Sequence, residues 1–149
     1  MASGKGNNTS IGLLEMIYQA VQSADMVGIM RNDTSPLTNL YVSLHTANPG
    51  ATGSQTTSEA AYNNYARIAV ARTSGGWTIT SESITNAAAI TFGLANATGT
   101  PETETYVGVG TALSGAGILL WFGALTAPLI VNPGITPSIA LGALSITEA

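Results

Sequence analysis

Residues 40–50, LYVSLHTANPG, decide the fold. Leu40, Val42 and Leu44 alternate with Tyr41, Ser43 and His45, the two-residue period of a strand with one buried face. Asn48, Pro49 and Gly50 then stop the alternation in a turn. Upstream of this stretch the pattern is helical or irregular, and downstream it is a succession of short alternating runs.

Those runs are Tyr65 to Arg72 (YARIAVAR), Trp77 to Thr80, Ala87 to Phe92, Thr103 to Gly110, Gly117 to Leu125, Leu129 to Val131 and Ile139 to Thr147. Gly75-Gly76, Thr98 to Pro101, Leu113 to Ala116 and Asn132 to Gly134 supply turns between them. About seven to nine strands at this spacing predict a mainly β fold, a β-sandwich for which a jelly roll is one possible connection. Ala51 to Asn64 is a long polar loop whose one charge is Glu59. Loops of that length are commonly contact surfaces or flexible segments.

Ahead of the strands, Leu13, Leu14, Ile17, Val21 and Ala24 recur at helical spacing, with Thr9 or Ser10 as the expected cap. Met26 to Leu37 carries Gly28, Asn32, Asp33, Ser35 and Pro36, which interrupt helices. The chain therefore divides into an N-terminal arm and helix, 1–37, and a sandwich domain, 38–149. A lone short helix is marginal in water and must bury its apolar stripe. Leu13, Leu14, Ile17 and Val21 are accordingly the candidate attachment or interface residues, with packing onto the chain's own sheet as the alternative.

Composition narrows the function. Of 149 residues only 8% are charged, against about 25% in an ordinary soluble domain. So bare a surface suits a subunit packed into an assembly better than an enzyme working alone. A formal charge of −4 repels a phosphate backbone, so no nucleic-acid partner is expected. With no cysteine there is no disulfide, thiolate nucleophile or cysteine zinc site. MASGKGNNTS lacks the apolar core of a secretory signal. Gly115 to Val131 is almost wholly apolar, but Gly117, Gly123, Thr126 and Pro128 break it short of the roughly 20 residues of a spanning helix. Two buried strands, and no membrane partner, are expected there.

Residues able to do chemistry are few. His45 is the single histidine, which rules out a multi-histidine metal site and a triad; it is expected on a strand face, bonded to a nearby loop. Glu102 and Glu104 form the only close acid pair, expected on a solvated edge. Asp25 and Asp33 do not fall in a loop with regular calcium-ligand spacing. Gly108, Gly110, Gly115 and Gly117 do not follow a dinucleotide or phosphate-loop pattern and are expected as strand and turn glycines. Arg67 and Arg72 fall on opposite strand faces; a buried or interface arginine is one use for such a residue. No catalytic residue, metal or cofactor is expected.

Taken in order, LYVSLHTANPG, SEAAYNNYARIAVAR, AAAITF, YVGVGTALSGAGILLWFGALTAPLIV and GALSITEA resemble a family of small tailed-bacteriophage virion proteins. Its members are commonly labelled tail fibre proteins, and related ones are regarded as capsid decoration, or cement, proteins. The likeness runs from Leu40 to Glu148 and departs in the tract Ser23 to Thr38. It implies a structural role without catalytic residues. Fibres usually show long repeats or coiled coils, which this sequence lacks, so decoration of the capsid exterior is the expected role. The expected form is a homo-oligomer, a trimer above others, bound to the major capsid protein. A tail-fibre-associated protein is one alternative. A carbohydrate-binding module that stacks sugars on Trp77, Trp121 and the tyrosines is another.

Overall fold

The computed structural model describes residues 7–20 and 37–147. Val21, Ala24, Asp25 and Asp33 lie outside the described residues. The chain is mainly β, with one short N-terminal helix. It gathers into two compact units: one takes in Met1–Asn39, Ala71–Ala89 and Ala140–Ala149, the other Leu40–Val70 and Ile90–Ile139.

In the first unit, α1 (Asn7–Leu14) runs into a π-helical turn, Glu15–Gln19. Thr9 and Ser10, expected as the cap, therefore lie inside the helix. Ala20 ends the turn in the left-handed region, at φ 54°, and returns its N–H to the Glu15 carbonyl. The wider π turn shifts the register of the helical face. Leu14 and Tyr18 are consequently the buried pair, while Leu13 and Ile17 are half-buried. Tyr18 meets Trp77 edge to face, with centroids 4.6 Å apart, and Gln19 donates to the Trp77 carbonyl at 3.1 Å. Arg72 donates to the carbonyls of Met16, Ile17 and Leu37, filling acceptors that a helix end leaves open.

Beneath that helix is a three-stranded antiparallel sheet of β3 (Trp77–Thr80), β4 (Ser83–Asn86) and β9 (Ser145–Thr147), with β4 central. β3 and β4 form a tight hairpin, with Ser81 at φ 56°. Trp77 and Ile84 are fully buried. The Asn86 side chain donates to Ala88 and Ala140 carbonyls at 2.7 and 2.8 Å and accepts the Leu144 N–H at 3.0 Å. One buried amide thereby fixes residues 140–144 to the end of β4.

The second unit is built on a four-stranded sheet in the order β2-β1-β6-β7, comprising β2 (Ile68–Ala71), β1 (Asn39–His45), β6 (Glu102–Gly110) and β7 (Leu119–Val131). A short ladder joins β5 (Ile90–Thr91) to β8 (Ser138–Ile139). Among the described residues nine strands thus fall into sheets of four, three and two, and β4 is one that the sequence alternation does not reveal.

β1 and β6 pair antiparallel with Val42 opposite Val109 and Leu44 opposite Val107, which makes one face apolar. The other face carries Ser43 and His45 opposite Gly108 and Tyr106. Contrary to the expectation of one buried face, Ser43 and His45 are as buried as Leu44, because the loop 51–64 lies across them. Thr46 donates to Ser58 at 2.8 Å and Ala60 to Leu44 at 2.9 Å, so the loop is pinned to the strand rather than loose. Among the described residues no helix is long and apolar enough to cross a membrane.

Candidate functional site

Two constructions in the second unit could carry function: the clamp that holds the turn ahead of β7, and the acid pair at the start of β6.

The clamp begins with Arg67, expected on a strand face but set just before β2 and buried. Its guanidinium grips Glu59 with two bonds of 2.6 and 2.7 Å and donates to the Ala112 and Gly115 carbonyls, both at 2.8 Å. Tyr65 adds its hydroxyl to Glu59 at 3.1 Å. Gln55 grips the same turn from its other side: its N–H reaches the Ala116 carbonyl at 2.8 Å, and its Oε1 accepts the Ala112 N–H at 2.9 Å. His45 sits beside these groups, with Nδ1 2.9 Å from the Thr57 carbonyl and Nε2 2.9 Å from Ser43 Oγ, the loop-bonded strand residue expected. A Cβ at Gly108 would stand 2.6 Å from His45 Nε2, and one at Gly110 would stand 2.2 Å from Gln55 Cδ. The glycines of β6 are therefore seats for these side chains, as glycine in a strand often marks close approach.

Because Gln55 is fully buried and held by Ala112, Gly110→Ala forces overpacking, at an expected cost of about 1–3 kcal/mol. Gly123→Ala has open space and changes little. Urea midpoints of the two variants measure the difference.

The acid pair departs from its expected solvated edge. Glu104 is 0% exposed, opposite Leu129 of β7, and neither carboxyl oxygen has a hydrogen-bond partner among the described residues. Burial, followed by the neighbouring Glu102 carboxylate, pushes its pKa up to about 8. Glu102 instead accepts the N–H groups of Ala61 and Tyr62 at 2.9 and 2.7 Å. Burial and the two carboxylates raise the Tyr62 phenol to about 12. Near neutral pH the folded chain keeps the Glu104 proton. Among the described residues no group of three His, Cys, Asp or Glu side chains could hold a metal ion.

β7 differs most from expectation. The apolar run forms one 13-residue strand, not two buried ones, and lies at the edge of its sheet, paired with β6. Only Val131 is fully buried, and Phe122 and Ile130 are 38% and 57% exposed. A register shift opposite Glu104 to Tyr106 leaves the part around Thr126 and Pro128 outside the ladder, consistent with a proline that cannot donate. Trp121 stands opposite Val109 and is half-buried. Trp77 is wholly buried, which removes it from any sugar-stacking surface.

The profile of a family described as podophage GP4 fiber I protein gp80 matches residues 18–147. The chain belongs to that family. It is therefore a bacteriophage structural protein of fibre type, associated with the virion. No curated protein matches the chain. The gp80 match takes in every strand and both constructions described above. It starts at Tyr18, so of the four candidate attachment residues Leu13, Leu14 and Ile17 precede the matched span and Val21 falls within it. Within its unit Leu14 is buried, which leaves Leu13 and Ile17 as the partly accessible members of the stripe. Sequence reasoning missed Gln55; the signal available for it was the pair of glycines at 110 and 117 that its side chain fills against.

Proposed function

We propose that the chain is a non-catalytic structural subunit of the phage fibre assembly, working as an oligomer. The family match carries this reading. Two features support it: the sparse charge of the whole sequence and a long apolar strand left at a sheet edge. Its partners are further copies of itself, a trimer above other states, and the virion component to which the assembly is fixed.

A second reading places the protein on the capsid exterior, decorating the major capsid protein. It is favoured by one observation: among the described residues there is no long helix for a coiled coil, and no strand array repeats along the chain. Gold-labelled antibody on intact virions separates the two. Label at the tail is expected; label spread over the head would transfer the role to decoration. Particles that bind no label at either place would sink the virion role altogether.

A further inference from the structure

We propose that β7 is a self-association surface, covered in the assembly by β7 and its flanking turn from a second copy of this chain. The inference rests on the oligomeric reading above and names the surface that makes the oligomer.

A near-continuous apolar run is the signature of a strand covered on both faces, yet the single chain covers β7 incompletely. Phe122 and Ala124 ahead of the register shift, Thr126 and Pro128 within it and Ile130 beyond it are all exposed, and Ile118 just before the strand is 65% exposed. Trp121, Leu125 and Leu129 are only half-buried. β7 pairs with β6 and has no strand on its far side among the described residues. Edge strands that must stay single usually carry lysine or other charge. Here no Asp, Glu, Lys or Arg occurs from Thr105 to Thr147.

That charge-free tract also selects the occupant. Two copies, each with formal charge −4, repel one another wherever their carboxylates meet. They approach at least electrostatic cost along the tract that has no charges. A partner recognised through charge finds nothing to pair with on it. A second copy offers the same apolar, uncharged strand, so neither surface leaves a charge unpaired when the two meet. The clamp of Arg67 and Gln55 on residues 112–116 holds the turn ahead of β7, so the surface is presented ready-formed.

The test is light scattering on the full chain and on Phe122→Glu, Ile130→Glu and Thr78→Glu, each checked by circular dichroism for a β fold that melts cooperatively. Thr78 is exposed on β3, in the other unit, and is the control. The unsubstituted chain and Thr78→Glu are expected to be oligomers, and either β7 variant to fall to the mass of a single folded chain. Two β7 sites are used so that one misfolded variant does not decide the matter. If the unsubstituted chain is an oligomer and both folded β7 variants keep its mass, the surface is wrong while the oligomeric reading stands. If the unsubstituted chain is a monomer at all concentrations, both fall.

Discussion

Arg67→Ala destabilises the protein by about 3–5 kcal/mol, the range found when one partner of a buried ion pair is removed. The cost follows from what is left behind. Glu59 loses both of its guanidinium bonds and keeps the Tyr65 hydroxyl as a donor. The carbonyls of Ala112 and Gly115 lose their side-chain donor in the same step. Arg67→Lys recovers only part of this, because an ammonium cannot reproduce the two-pronged fork while also serving two carbonyls. Replacing both partners, as Arg67→Met with Glu59→Gln, is expected to cost less than the two single changes added together, since no unpaired charge remains. Urea unfolding of Arg67→Ala, Arg67→Lys, the double variant and its two single changes decides the matter. A loss under about 1 kcal/mol for Arg67→Ala would mean that the grip on the turn is incidental.

Glu104 sets a pH dependence of the opposite sense to that of a carboxylate held ionised by a salt bridge. The folded chain keeps a proton there up to about pH 8, whereas an ordinary glutamate, as in the unfolded chain, releases it near 4.5. Between those values the folded state binds more protons than the unfolded one, so stability falls as pH rises. It is fully present below the lower value and lost by the upper one, at about 1.4 kcal/mol per pH unit of the window. Glu104→Gln puts a neutral group of the same shape in the same place. It is expected to flatten the slope and to be the more stable protein near the top of the window. His45 acts in reverse: burial holds its ring below the ordinary 6.5, so its contribution fades as pH falls. Comparing variant with parent removes that term, because His45 is common to both. Denaturation midpoints that fall in parallel for the two proteins from about pH 5 to about 8.5 would show that Glu104 is ionised while folded.

The alternation of LYVSLHTANPG, WTIT and TETYVGVG was enough to locate β1, β3 and β6 because each puts several apolar side chains at a two-residue period. β4 escaped because Ser83 to Asn86 holds one apolar residue, Ile84, and its partners are a hairpin mate and a strand from the far end of the chain. Polar residues on β1 and β6 pointed to solvent by pattern alone. What buries Ser43 and His45 is a loop pinned across them, and what buries Glu104 is its place opposite β7; neither is a property of the local residue order. For β7 the residues were legible and their surroundings were not: hydropathy reports that a strand needs cover, without saying whether the same chain supplies it. The π turn had no signature, and it is the reason that Tyr18 rather than Ile17 joins Leu14 in the core. The resemblance in the ordered strand sequences pointed to the right family, while the clamp on the turn depends on pairings about 45 residues apart, such as Arg67 with Ala112.

Asn86 has a consequence for biosynthesis. Its amide ties β4, in the middle of the chain, to residues 140–144, and β9 follows directly to complete the sheet. During translation the β3–β4 hairpin can close as soon as it clears the ribosome, since it is local. Its third strand is by then still tens of residues from being made. Throughout that interval the growing chain exposes one edge of the hairpin and leaves to water the Asn86 groups that will meet Ala140 and Leu144. The unit therefore closes only once residues 140–147 have emerged, long after the hairpin that waits for them.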